Sequence, residues 1–244
     1  MDKRAVALRT LGLLDLTNLN DDCVERDVID LCARTVHDGV NVAAVCVWSP
    51  FVALSRDELD DNGVRVATVA NFPHGSTDLK RAVAETRKSV ADGAHEVDVV
   101  LPYVAWLAGD RETAKNLVAA CKAACGANTH LKVILETGEL KSRENIMEAA
   151  RDAIAAGADF IKTSTGKVAV SATIEAAKAM LAVIRETDRP VGFKAAGGIR
   201  TLEDAAAYLL AADKIMGTDW VSPETFRFGA SGLLDDLLVY TGGA

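Results

Sequence analysis

Three lysines interrupt short runs that are otherwise apolar and rich in β-formers. They are Lys132 in Leu-Lys-Val-Ile-Leu-Glu, Lys162 in Phe-Ile-Lys-Thr-Ser-Thr and Lys194 in Val-Gly-Phe-Lys-Ala-Ala. If all three side chains point into one core, several ammonium groups converge there, which is costly without partners. Two ammonium groups about 6 Å apart repel by roughly 3 kcal/mol at an effective dielectric of about 20, worth about two pKa units on whichever lysine gives way. A lysine that is partly neutral near neutrality can attack a carbonyl and form an imine. For any one of them the alternative is a side chain that faces outward or snorkels to solvent at a strand end.

Two acids lie in runs of the same kind, Asp15 in Leu-Leu-Asp-Leu-Thr and Asp98 in Glu-Val-Asp-Val-Val. Either can serve as a salt-bridge partner. A carboxylate beside an imine can also move protons, directly or through one water.

Glycine-rich segments follow three of the β-rich runs: Ser164-Thr165-Gly166-Lys167, Ala196-Gly197-Gly198-Ile199-Arg200 and Gly229-Ala230-Ser231-Gly232. Glycine lets a backbone approach an anion closely, and backbone N–H groups at a helix start can hold phosphate. Lys167 and Arg200 can add positive charge and Ser231 a hydroxyl donor. Plain turn geometry is the competing explanation for each glycine. The Thr-Gly-Lys segment is not a nucleotide P-loop, since it lacks both the first glycine and the hydroxyl residue after the lysine. Nor is a metal expected: His37, His74, His95 and His130 are scattered, without ligand spacing.

These residues need a scaffold of alternating strands and helices. Candidate strands are Leu13–Thr17, Ala43–Trp48, Arg65–Phe72, Glu96–Pro102, Leu131–Glu136, Phe160–Ser164, Val191–Ala195 and Phe226–Gly229. Several are almost wholly apolar, as parallel strands covered on both faces should be. The three lysines then fall on strands five, six and seven. Helical spacing places Val24, Val28, Leu31 and Cys32 on one helix, with Asp21 or Asp22 as its cap. Further helices are expected over Thr77–Ala91, Arg111–Ala124, Arg143–Ala156, Thr173–Glu186 and Leu202–Ala211, with Gly93 and Gly157 just past two of their ends. The segment Ala212–Pro223 can hold one more short strand or helix.

Such units build either an open doubly wound sheet or a closed (β/α)8 barrel. Eight of them in 244 residues favour the barrel, an α/β fold of one domain spanning residues 1–244. In that fold the loops after strands seven and eight often bind phosphate, where two of the glycine clusters fall.

Half the residues are hydrophobic, and only 5% are aromatic, so aliphatic side chains and alanine must fill the core. The net charge of −8, with no basic stripe, argues against nucleic-acid binding but not against a small anionic ligand. No apolar stretch is long enough to cross a bilayer, and MDKRAVALRT lacks the apolar segment of a secretory signal, so a cytoplasmic protein is expected. The odd set Cys23, Cys32, Cys46, Cys121 and Cys125 fits a reducing compartment.

The quoted segments closely resemble the deoxyribose-phosphate aldolase family, over nearly the whole chain. Leu14-Asp15-Leu16-Thr17, Asn71-Phe72-Pro73-His74-Gly75, Glu96 to Val100, Leu131 to Ile134, Gly192-Phe193-Lys194, Ala196 to Arg200 and Phe226 to Ser231 all take part. Phe160-Ile161-Lys162-Thr163-Ser164-Thr165-Gly166 is the most specific, matching the family's Schiff-base segment in order and spacing. The resemblance implies a cofactor-free, metal-independent enzyme that cleaves 2-deoxy-D-ribose 5-phosphate reversibly to D-glyceraldehyde 3-phosphate and acetaldehyde. It places the imine on Lys162 and makes Lys194 the perturbing neighbour. Asp98, with Lys132 beside it and an ordered water, would handle proton transfer, and Asp15 would support the lysines. Cys46 and Thr165 map near the substrate, and Gly166, Lys167, Gly197, Gly198, Gly229 and Ser231 to phosphate contacts. Its partners would be small phosphosugars and aldehydes, with a homo-oligomer, a dimer, at family level.

Two positions depart from some family members. Gly232 stands where those have a second serine, and the chain ends Tyr240-Thr-Gly-Gly-Ala rather than in a tyrosine that assists proton transfer. Two other readings remain at this point: a different phosphosugar barrel enzyme (transaldolase-like or an isomerase), and a non-catalytic phosphosugar-binding protein.

Overall fold

In the computed structural model, which describes residues 2–60 and 62–242, the apolar runs become eight parallel strands closed into a barrel. They are β1 Leu14–Asn18, β2 Ala44–Val47, β3 Arg65–Ala70, β4 Glu96–Val100, β5 His130–Ile134, β6 Phe160–Lys162, β7 Gly192–Ala196 and β8 Phe226–Ala230. Neighbours in sequence are neighbours in the sheet, and the pairing of Leu14 with Phe228 and Asp15 with Gly229 closes the ring. That closure decides against the open sheet.

The helices form the outer layer, and the aliphatic core lies between them and the strands. The strands' outward residues, such as Val45, Val97, Val99, Leu131, Val133 and Ile161, bury their side chains there against Ala82, Leu117, Val118, Ala149, Met180 and Leu181 of the helices. Alanine and valine on the strand face let the helix backbones come close, which suits a chain with few aromatics.

Helix ends follow local chemistry. The side chains of Asp78, Asp110, Ser142, Thr173 and Thr201 cap the helices Leu79–Ala91, Arg111–Cys125, Arg143–Ala155, Ile174–Glu186 and Leu202–Met216. Gly93 and Gly157 take the left-handed conformation expected of them, with φ of 97° and 105°.

One expectation needs correction and another is settled between its alternatives. Neither Asp21 nor Asp22 caps the helix after β1; it spans Glu25–Cys32, its N-cap is Val24, and the Val24 N–H donates to Asp27 at 2.9 Å. The segment Ala212–Pro223 takes the short-helix alternative rather than the strand. The preceding helix runs on through Met216 because Leu209 and Ala212 continue its buried face, and Thr218–Trp220 forms a 3-10 turn.

Period-two alternation sends every second strand residue into the barrel lumen. On β2 and β3, above Arg65 at the lower rim, these residues are apolar: Ala44, Cys46, Ala67 and Val69 pack together with Leu19. β1 and β4 to β8 each add at least one charged side chain to the lumen, and this half forms the site.

Candidate active site

Four cationic side chains and three carboxylates meet in the charged half of the lumen. Lys132, Lys194, Asp15, Glu96 and Asp98 are fully buried, and Lys162 and Arg227 are nearly so. Strand register brings them together: Asp98 pairs with Lys132, Lys162 with Lys194, and Lys194 with Arg227 across adjacent strands.

Asp98 is the hub. Its Oδ2 accepts from Lys162 Nζ and from Lys194 Nζ, both at 2.9 Å, while its Oδ1 accepts from Lys132 Nζ at 3.1 Å. Lys194 also donates to Asp15, and Lys132 also donates to Glu96. Arg227 joins the far ends, with Nη1 on Asp15 Oδ1 at 2.7 Å and Nη2 on Glu96 Oε1 at 2.9 Å. The Phe160 ring lies near this lower tier, 5.8 Å from both Lys132 Nζ and the Arg227 guanidinium carbon.

The alternation of charge sets each protonation state. Burial works to raise the Asp98 carboxyl, but the ammonium groups of Lys132, Lys162 and Lys194 outweigh it and hold Asp98 well below the usual carboxylate range. Burial likewise opposes ionisation of Asp15 and Glu96, yet Lys194, Arg227 and Lys132 keep Asp15 low and Lys132 and Arg227 keep Glu96 low. Lys194 moves the other way: burial favours its neutral amine, but Asp15 and Asp98 hold it above its ordinary value as a fixed ammonium. Burial raises the Cys46 thiol, with Lys194 opposing.

Above this network, at the C-terminal ends of the strands, opens a pocket of about 450 Å³ lined by the rims of β1, β6, β7 and β8. Lys162, at 4% exposure, lines it; the deeper Lys132 and Lys194 do not. Lys167 and Arg200 add positive charge to its wall, and no carboxylate is among its described lining residues. Gly166, Gly197 and Gly198 all have φ between 80° and 89°, and a Cβ on Gly197 would come within 2.6 Å of Ser171 Cβ.

A family model for DeoC/LacD family aldolases matches residues 10–237. The chain belongs to that family. A deoxyribose-phosphate aldolase from Agrobacterium fabrum (strain C58) is 53% identical over 242 residues, 98% of this chain and 93% of that protein. Among solved structures, the apo form of a candidate deoxyribose-phosphate aldolase from Toxoplasma gondii ME49 superposes with a TM-score of 0.90 at 26% identity, covering 99% of this chain and 98% of the other. A tetrameric deoxyribose phosphate aldolase from Aeropyrum pernix shares the fold at a TM-score of 0.78 and 23% identity, over 100% of this chain and 98% of its own.

Within this aldolase most residues singled out from sequence converge. Lys132, Lys162, Lys194, Asp15 and Asp98 form one network, and Thr165, Gly166, Lys167, Gly197, Gly198, Gly229 and Ser231 line one pocket. Cys46 differs: it faces the apolar half of the lumen and is not among the pocket's lining residues. Gly229 has a second task, because a Cβ there would lie 2.8 Å from Lys194 Cε, so its lack of a side chain makes room for that lysine. Gly232 lines the pocket as the N-cap of the helix Leu233–Thr241. Tyr240 packs outside the barrel, with Lys3 Nζ 5.0 Å from its ring centre, and Gly243 and Ala244 lie outside the described residues.

Sequence reasoning missed Glu96, Arg227 and Glu136. The first two carry the same signal that marked the lysines: Arg227 stands alone between Phe226 and Phe228, and Glu96 shares a strand face with Asp98 two residues on. Glu136 gave no such signal. It is buried at the end of β5, where Thr165 Oγ1 donates to it at 2.5 Å and the Thr165 N–H at 3.2 Å, fixing the loop that carries Gly166 and Lys167.

Proposed function

We propose that this aldolase cleaves 2-deoxy-D-ribose 5-phosphate reversibly to D-glyceraldehyde 3-phosphate and acetaldehyde, through an imine on Lys162. The observation that carries the proposal is that Lys162 alone of the three lumen lysines lines the pocket, while lying 2.9 Å from the carboxylate it shares with Lys194. A substrate in the pocket meets this amine first.

Charge balance explains why the amine is reactive. With Lys162 protonated, four cations face Asp15, Glu96 and Asp98; a neutral Lys162 brings the network into balance. The amine adds to C1 of the open-chain sugar and loses water to give a protonated imine. Because acetaldehyde carries only C1 and C2, the bond that breaks is C2–C3. Its electron pair passes into the iminium to leave a neutral enamine, while the C3 hydroxyl loses its proton and C3 departs as the aldehyde of glyceraldehyde 3-phosphate. Cleavage therefore discharges the surplus positive charge again. Protonation at C2 and hydrolysis release acetaldehyde and restore the amine.

Asp98 is favoured as an anion by the neighbouring ammonium groups. It fixes Lys162 and Lys194 and orients a water for the transfers, with Lys132 and Asp15 supporting it. The phosphate is assigned to Gly166, Lys167, Gly197, Gly198, Gly229 and Ser231, with Arg200 adding charge. An isomerase would need a carboxylate or imidazole facing the substrate to shuttle protons, and the described pocket lining carries neither.

Five free cysteines suit the reducing cytoplasm as its setting, in the breakdown of deoxyribose phosphate. We assign it a homo-oligomeric state, as the tetrameric relative has, with the dimer as the smallest form. Supplied with 2-deoxy-D-ribose 5-phosphate, the purified protein should release acetaldehyde at a rate a chelator leaves unchanged. No acetaldehyde, or loss of turnover on chelation, overturns the proposal.

A further inference from the structure

We propose that Glu96 and Arg227 are positioning residues that set the pH at which Lys162 becomes a nucleophile, although neither reaches the pocket. The inference rests on the assignment of Lys162 above.

The structural case is the connectivity. Arg227 is the sole cation here with two donor nitrogens splayed onto two different carboxylates, Asp15 and Glu96. Those two acids in turn hold Lys194 and Lys132, and these lysines, with Lys162, hold Asp98. The shortest paths from Arg227 to Lys162 pass through two carboxylates and one ammonium group. The guanidinium is pinned from below as well, since its Nε donates to the Pro223 carbonyl. Glu96 also faces Arg65 at the lower rim, where Arg65 Nε lies 3.7 Å from Oε1. A planar fork held at both ends fixes the spacing of Asp15 and Glu96, which a flexible lysine would not do.

The electrostatic case follows from the count of charges. Lys162 contacts Asp98, which it shares with Lys194, and Cys46 and Glu136 lie within electrostatic range of it, with Lys132, Asp15, Glu96 and Arg227 in the tier below and His130 and Arg65 toward the lower rim. Asp15, Glu96, Asp98, Lys194 and Arg227 keep fixed charge through the working range, so removing any one changes the field at Lys162 by a full unit. Loss of the Arg227 charge leaves the lumen poorer in positive charge and lets Lys162 retain its proton longer. Loss of the Glu96 charge does the reverse. The two effects have opposite sign and cancel when both are removed.

The test uses Glu96→Gln, Arg227→Met and the double variant, each followed by the rate of borohydride trapping of acetaldehyde on the peptide carrying Lys162, from mildly acidic to alkaline pH. The acid limb should move to higher pH in Arg227→Met and to lower pH in Glu96→Gln, each by on the order of one unit. It should return close to the wild-type position in the double variant. That variant removes a buried ion pair together and leaves no lone charge, so it tests the inference even where a single variant fails to fold. A double variant displaced as far as either single one, or single variants that do not move or move the same way, overturns the inference. An adduct with unmoved profiles sinks this inference alone. No adduct in the wild-type chain sinks the assignment of Lys162 with it.

Discussion

Lys162 and Lys194, paired across β6 and β7, donate to the same oxygen of Asp98 at the same distance, 2.9 Å. Two ammonium groups on one acceptor oxygen repel, and they differ in what else they hold. Lys194 has Asp15 as a second partner and is fully buried; Lys162 has only the shared carboxylate and lines the pocket. The lysine held by fewer carboxylate contacts is thus the one that meets substrate.

Replacing Lys194 by Met should move the acid limb of the activity profile upward by about one to two pH units. Removing a fixed ammonium leaves three carboxylates against Lys132, Arg227 and Lys162, so the proton on Lys162 becomes part of a balanced set. At neutrality turnover should fall by about 10- to 100-fold and partly recover in alkali. A profile of unchanged position would show that the two lysines are not coupled.

Gly229→Ala should lower kcat by roughly tenfold with little loss of stability. The added Cβ meets Lys194 Cε at 2.8 Å and Ala196 Cβ at 3.0 Å, which forces the end of a flexible lysine aside rather than the backbone. Kinetics and a melting curve separate this from a phosphate role, which would raise KM for the phosphorylated sugar alone.

Lys167→Met should raise KM for 2-deoxy-D-ribose 5-phosphate by about 10-fold and leave the unphosphorylated sugar unaffected. Lys167 Nζ donates to the Leu19 carbonyl at 2.9 Å, across the mouth from its own loop, and lies 3.5 Å from Asp21. Equal losses on both sugars would assign Lys167 to holding that loop instead.

How much of this was legible beforehand depends on the range of each interaction. The eight-strand order followed from local apolar runs, and the convergence of Lys132, Lys162 and Lys194 followed from one lysine in each of three successive strands. Half of their compensation did as well, since Asp15 and Asp98 stood in runs of the same kind as salt-bridge partners. The rest did not, because Arg227 pairs with Asp15 and Glu96 from far earlier in the chain. Such pairings depend on barrel register, which no local pattern encodes. Gly229 likewise read as a phosphate contact, because the lysine it accommodates is on another strand.

Acid stability should reflect the same network. Asp15, Glu96 and Asp98 have folded-state values depressed below their unfolded ones, so the stabilisation they give is fully present above the unfolded range and is lost as pH falls through the folded values. The melting temperature should drop steeply below about pH 4, where the unfolded chain takes up protons that the folded network refuses. Asp15→Asn should melt lower at neutrality and show a shallower decline in acid; an equally steep decline would mean that other groups drive it.

The account stands on Lys162. Acetaldehyde and borohydride together should leave N-ethyl-lysine at Lys162, found by peptide mass mapping, with inactivation in step with labelling. An adduct on Lys132, Lys167 or Lys194 in its place, or an active enzyme that cannot be trapped at all, would contradict it.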